Sequence, residues 1–205
     1  MPLSTPLIRR RLFALAPAFL PLPVLAQSVR TPAQMEGPYY PRAIPADADA
    51  DLVRVIGQPG PARGQPLLLT GLVRAADGSA MPGARVEIWQ ADDQGIYLHP
   101  REDRLAQRDA GFQGYGRAVA DGAGRYAFRT IRPGLYPGRT RHIHLRAHPA
   151  QGGAALTTQI YFPDEPGNDR DMLLRRVASD QRALLMARLS SVDGGQRAEF
   201  DIFIG

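Results

Sequence analysis

An all-β fold, an antiparallel β-sandwich with long loops and one short C-terminal helix, is what this sequence predicts. Three observations point there: short segments with apolar and polar residues in alternation, tight turn residues between them, and a length suited to one layered domain. The chain has 205 residues, 44% hydrophobic and 22% charged, with 21 Gly and 19 Pro. That apolar fraction is too high for a disordered chain, and no Gly-X-Y period suggests collagen. At this length a domain buries well over half of its unfolded surface, so neither a metal nor a disulfide is needed for reasons of size. Cysteine is absent. Disulfides, thiolate zinc sites and cysteine nucleophiles are thereby excluded, and any metal must be held by nitrogen and oxygen donors.

Residues 1–26 read as an export signal. Arg9, Arg10 and Arg11 precede an apolar stretch from Leu12 to Ala26, interrupted by Pro17, Pro21 and Pro23, with no acidic residue. The stretch falls short of the roughly 20 residues that span a bilayer, so no stable membrane insertion is expected after processing. Val24 and Ala26 suit the −3 and −1 positions of a signal-peptidase site, placing cleavage before Gln27. The run Arg9-Arg10-Arg11-Leu12-Phe13 fits a twin-arginine signal, and an Arg-rich signal for unfolded chains is the other reading. Either implies a periplasmic or secreted protein. Removing 1–26 takes three of the 25 basic residues and none of the 20 acidic ones, so the net charge falls from +5 to +2. The remaining basic residues, all Arg, are interleaved with acids, and no nucleic-acid partner is expected.

The mature part, 27–205, reads as one domain. Its first stretch, 27–64, is rich in Pro, Gly and Ala and predicts an extended N-terminal arm. Strands follow at Leu67–Val73, closed by the turn Asp77-Gly78, and at Ala84–Gln90, where period two puts Val86 and Ile88 on one face and Arg85, Glu87 and Trp89 on the other. A long loop runs from Asp92 to about Gly116. The turn Asp121-Gly122-Ala123-Gly124 leads into a strand at Arg125–Thr130, and further strands are expected at His142–Ala147, Leu156–Phe162 and Ala198–Ile204. A helix is predicted over Asp169–Leu189, from Met172, Leu173, Val177, Leu184, Leu185 and Leu189 at roughly helical spacing, with Asn168 or Asp169 as N-cap.

Two of the four histidines form His142-Ile143-His144. In a strand, residues i and i+2 project from one face about 6–7 Å apart, from which both imidazoles can reach one metal ion. Two hydrogen-bonded or surface histidines are the alternative. Tyr136 lies in the turn Pro133-Gly134-Leu135-Tyr136-Pro137-Gly138-Arg139; it is either a solvated turn tyrosine or a phenolate donor to the same ion. Phenolate is a hard anionic donor, and imidazoles with phenolate and no thiolate favour Fe(III) over Zn(II) or Cu(I).

Four segments in order carry a family resemblance: Ala84–Asp92 leading to Gly95-Ile96-Tyr97, Asp121–Phe128, Leu135–His144, and Thr158-Gln159-Ile160-Tyr161-Phe162. Together with Thr31-Pro32 and Glu36-Gly37-Pro38-Tyr39-Tyr40-Pro41, they resemble the intradiol ring-cleavage dioxygenases over about residues 31–167. The resemblance implies non-haem Fe(III) held by Tyr97, Tyr136, His142 and His144, with Tyr136 as the axial ligand that yields to substrate. It implies that Arg139 lies over the substrate and stabilises negative charge, that Gln159 supports the site from behind, and that Trp89 lies near the first tyrosine. Read without it, Trp89 is a core residue and Arg139 a solvated charge. The implied reaction opens a catechol ring between its hydroxylated carbons with O2, yielding a cis,cis-muconate-type diacid. It requires no NADH or flavin.

The sequence departs from that family's catechol 1,2-dioxygenase branch by lacking its N-terminal helical segment, so that branch's dimer contact is not expected, although a homo-oligomer is left open. Tyr136 and His142 are closer in sequence than in two-chain protocatechuate 3,4-dioxygenases, and Gly138 replaces a bulky aromatic. A substrate pocket of different shape follows. The form Tyr136-Pro137-Gly138-Arg139 resembles exported single-chain members. The loop Arg101–Arg108 is either solvated or a partner for a substrate carboxylate. Two rival functions fit the same residues: an exported β-sandwich binding module without activity, and a Zn or Cu protein using these histidines.

Overall fold

The computed structural model describes residues 29–205, and the export signal read at 1–26 lies outside the described residues. Nine strands form two sheets: β1 (Pro66–Ala75), β2 (Arg85–Trp89), β3 (Tyr115–Val119), β4 (Arg125–Ile131), β5 (His142–His148), β6 (Leu156–Tyr161), β7 (Arg188–Val192), β8 (Gly195–Glu199) and β9 (Ile202–Ile204). One sheet has the order β4-β1-β8-β7 with β9 also on β1, and the other the order β3-β2-β5-β6. The expected all-β sandwich is what forms. Its larger sheet is mixed, not purely antiparallel, because β8 and β9 both run parallel to β1.

Alternation sets the core. Leu67, Leu69 and Val73 from β1, Val86 and Ile88 from β2, and Ile143, Leu145 and Ala147 from β5 all point between the sheets into one apolar cluster. The predicted final strand Ala198–Ile204 is interrupted at Phe200 and Asp201. There the Phe200 carbonyl accepts the Tyr126 hydroxyl at 2.6 Å, and the Asp201 carboxylate accepts Leu72 N–H at 3.0 Å in place of a ladder bond. Gly71 permits this crossing, since a Cβ there would sit 1.8 Å from the Phe200 carbonyl oxygen.

Two predicted elements come out differently. Strand β3 was not expected: it begins at Tyr115, at the end of the stretch read as loop up to Gly116, and runs on to Val119; two glycines, Gly114 and Gly116, hide its alternation, and Gly116 is required where Leu52 and the Asp49 carbonyl press against the strand. The helix expected over Asp169–Leu189 is replaced by three short 3-10 turns, Asn168–Arg170, Leu174–Arg176 and Arg182–Leu185, and by the start of β7. Its apolar residues serve separate packing sites. Leu174 and Leu185 gather round Tyr161, Leu189 packs on the main core, and Met172 is exposed. The Asp171 carboxylate also takes the Leu173 and Leu174 N–H groups locally, a competitor to helical bonding.

The N-terminal arm bridges both sheets. Its backbone bonds to Ala76 and Phe203 on the larger sheet, then to Thr157 on the smaller one. Further on, it crosses the outer face of the smaller sheet, where Tyr40 packs edge-on to Trp89 at 5.0 Å. The part of the face beneath the arm is thereby buried, and Trp89 and Glu87, which point away from the core, are both inaccessible. Among the described residues no helix is long and apolar enough to cross a membrane.

Candidate metal centre

The register of the smaller sheet places the site. Across four strands, Tyr115, Trp89, His144 and Gln159 stand directly opposite one another, and His142 pairs with Tyr161 in the next outward-facing row. The predicted i, i+2 placement of the two histidines on one face is what β5 shows, and both are buried. Their ring centroids are 4.9 Å apart.

The two tyrosines arrive on loops that are stapled together. After β2, Asp92 turns the chain by accepting Gln94 N–H and Ile96 N–H, each at 2.9 Å, and its other oxygen accepts Asp109 N–H at 2.8 Å. The Asp92 carbonyl accepts Gly134 N–H at 2.7 Å. A Cβ on Gly95 would lie 2.1 Å from the Leu135 carbonyl, so only glycine lets the Tyr97 loop nest against the Tyr136 loop. Tyr97 and Tyr136 then meet edge to face at 5.6 Å.

All four predicted donors converge. The Tyr136 and Tyr97 hydroxyls lie 3.2 and 3.5 Å from His142 Nε2. His142 Nδ1 is 2.7 Å from the Thr140 carbonyl, which can only accept, so Nδ1 carries the proton and Nε2 presents its lone pair to the phenols. Trp89 stacks on His144 at 4.9 Å, as a neighbour of the histidine pair and not only a core residue. Arg139 is folded inward, with Nη1 3.4 Å from the Tyr136 hydroxyl and Nη2 donating to Gln159 Oε1 at 2.7 Å.

Burial governs the protonation of this cluster. It pushes His142 down to about 3, helped by Arg139 and opposed by the Thr140 bond, and holds His144 well below its ordinary range, with His142 and Arg139 adding to the effect. Burial also raises Tyr97 well above its ordinary value, with Tyr136 adding to it, and raises Tyr136 against the opposing pull of Arg139. The imidazoles are therefore neutral with lone pairs to give, and the phenols ionise only beside a strong positive charge. Among the described residues, no cluster of three or more His, Asp or Glu side chains can hold a metal ion. A metal here has to use the phenol oxygens, and this donor set fits a hard, highly charged cation. His144 Nδ1 is buried with no hydrogen-bond partner, one more polar atom for which the protein alone supplies no explanation.

A cavity of about 470 Å3 opens beside these groups, between Pro38 and Tyr39 of the arm, Tyr136, Arg139, and Met172 with Leu173 from the 3-10 segment. The Arg101–Arg108 loop does not line it: Arg104 and Arg108 instead bond to the carbonyls of Gly95, Asp109 and Phe112. Several contributors escape sequence reasoning. Tyr39 stacks on Tyr97 at 4.5 Å, and Gly37, at φ +76°, fits where a Cβ would come within 3.2 Å of the His144 ring. Tyr161 accepts from Arg139 Nη2 at 3.2 Å, and Asp171 forms a 2.8 Å ion pair with Arg139 Nε. The Gly37-Pro38-Tyr39 segment was visible only as part of a family motif, and Asp171 was lost inside the expected helix.

Comparison with known proteins places the chain in a family. A family model described as Dioxygenase matches residues 35–204. The protocatechuate 3,4-dioxygenase beta chain of Burkholderia cepacia is 34% identical over 167 residues, covering 76% of this chain and 71% of its own length. The catechol 1,2-dioxygenase of Acinetobacter baylyi is 31% identical over 154 residues, which span 66% of this chain but only 47% of that enzyme. Among solved structures, the dioxygenase domain of a dioxygenase and carbohydrate-binding fusion from Streptomyces sp. SirexAA-E superposes with a TM-score of 0.68 at 35% identity, covering 86% of this chain and 98% of that one. By sequence and by fold, the chain belongs to the intradiol ring-cleavage dioxygenases, oxidoreductases that act on catechols.

Proposed function

We propose that this protein binds Fe(III) through Tyr97, Tyr136, His142 and His144 and cleaves a catechol-type substrate with O2, placing both oxygen atoms in a cis,cis-muconate-type diacid. The observation that carries the proposal is the approach of two phenol hydroxyls to within 3.5 Å of His142 Nε2, whose partner nitrogen is already committed to Thr140. These four side chains would hold the ferric ion, which would supply Lewis acidity and an electron-accepting centre to the catechol oxygens.

The chain's own groups divide the remaining work. Tyr136 is the less buried phenol and faces the cavity, so it is the one placed to leave the cluster and take up a substrate proton. Arg139 presents a permanent positive charge at the Tyr136 oxygen and favours an anionic oxygen arriving beside it. Trp89 and Tyr39, stacked on His144 and Tyr97, keep water from the inner side of the site. Export through residues 1–26 is part of the same proposal and rests on their charge and apolar pattern alone; N-terminal sequencing of the exported protein, expected to begin at Gln27, checks it.

Iron analysis and colour test the metal, and oxygen uptake tests the reaction. Tyrosinate bound to Fe(III) gives a red to burgundy protein, and a panel of catechol, protocatechuate and hydroxyquinol should show O2 consumption with at least one. A colourless protein purified without iron, inert to the whole panel after ferric reconstitution, would leave the rival binding-module or zinc and copper readings standing instead.

A further inference from the structure

We propose that Asp171 is a positioning residue for Arg139, fixing the plane of its guanidinium over the tyrosine and histidine cluster; the inference rests on the role proposed above for Arg139. The Asp171 side chain is completely buried, and that of Arg139 is 9% exposed. Burying a carboxylate is costly unless charge and hydrogen bonds compensate for the lost water. Here one oxygen accepts Arg139 Nε at 2.8 Å and Thr140 N–H at 3.0 Å, while the other accepts Leu173 N–H at 3.0 Å and Leu174 N–H at 2.9 Å.

The two oxygens divide the work, although the one that accepts Leu173 and Leu174 also lies 3.5 Å from Arg139 Nη2. One secures the 3-10 segment whose Met172 and Leu173 wall the cavity, a task that any short polar acceptor can perform. The other holds Arg139 and the start of β5, which only a charged, doubly accepting group does well. On the opposite side, Gln159 Oε1 takes Arg139 Nη2 at 2.7 Å, and the Gln159 amide is itself oriented by donating to the Met35 carbonyl at 3.3 Å. A planar guanidinium held at Nε and Nη2 has no freedom left at its third corner. That corner, Nη1, is directed at the Tyr136 hydroxyl and His142 Nε2. Asp171 thus acts on the reaction through Arg139, and it ties the arginine's orientation to the wall of the substrate cavity.

Asp171→Asn tests this, because the amide oxygen can still serve Leu173 and Leu174 while the charge facing Arg139 is gone. In 15N-labelled, metal-free protein the Arg139 Nε–H resonance should exchange slowly with water in the native chain and at least about tenfold faster in Asp171→Asn, in line with loss of a buried charge-assisted bond. In the reconstituted enzyme kcat should fall about 10²-fold with a smaller change in KM, the scale expected when a catalytic group is displaced by about 1 Å. The same substitution made in an Arg139→Gln background should cost nothing further. An Nε–H as protected in Asp171→Asn as in the native chain, or an equal loss of kcat in both backgrounds, overturns the proposal. Should Asp171→Asn fail to fold, Arg139→Lys decides: it keeps the charge but lacks the planar fork, and full turnover by it would overturn the proposal. Native protein without turnover would count against the proposed function alone, since the exchange measurement needs neither iron nor substrate.

Discussion

Over His142–Leu145 the two faces of strand β5 are both buried, yet they are built from opposite materials. Ile143, Leu145 and Ala147 enter an apolar core between the sheets, while His142 and His144, one residue out of step, enter a layer of aromatic and hydrogen-bonding groups under the N-terminal arm. The inner face holds the sandwich together by area removed from water, and the outer face gives up some of that to keep lone pairs and phenols where a cation can use them. Substitutions on one strand should therefore separate cleanly into losses of stability and losses of chemistry.

The largest effect is expected on the outer face. Tyr97→Phe or His144→Ala should bring bound iron to background by elemental analysis, with a near-native melting temperature; full iron loading in either would break the division. Arg139→Ala comes next, lowering kcat about 10²- to 10³-fold while the iron and its colour remain. On the inner face, Ile143→Ala should cost about 2–5 kcal/mol in a denaturant titration, because the site between two sheets cannot collapse, and its folded fraction should turn over normally. Gly37→Ala tests the roof of the site with a smaller cost: a left-handed φ and the His144 contact together should destabilise by about 1 kcal/mol or more, read as a shift in melting temperature.

The smallest effect sharpens the comparison through pH. In metal-free protein His142 and His144 resist protonation, while in the unfolded chain they titrate near 6.5. The unfolded state thus binds more protons below that value. The histidines' contribution to stability is fully present above about pH 6.5 and is lost as pH falls towards the folded value of His142, about 3. The urea midpoint of chelated protein should therefore drop between pH 7 and pH 5. It should drop less in His144→Ala, whereas the Ile143→Ala protein should keep the native slope.

Much of this was readable along the chain because strands alternate. The period-two pattern put Val86 and Ile88 on one face, which proves to be the core face, and put both histidines on one face before any tertiary contact was known. The helical spacing over Asp169–Leu189 misled for a physical reason: Val177 and Leu185 pack near Tyr161, Leu189 packs on the main core and Met172 is exposed, so residues at near-helical intervals serve different sites, and Asp171 diverts the backbone donors that a helix would use. Strand β3 was hidden by Gly114 and Gly116, of which Gly116 is demanded by the neighbouring Leu52.

The sequence by itself determined the all-β class, the restriction of any metal to nitrogen and oxygen donors, and the residues that resemble a family's ligand set. Those properties are local, set by composition and by the side-chain period of an extended chain. Only the tertiary structure decided that part of the outer face is sealed by the arm, that two loops nest at Gly95 to bring the phenols together, and that Asp171 grips Arg139 from a segment 32 residues away. Each of these is a long-range contact between irregular segments, where no repeat in the sequence records which partner will arrive.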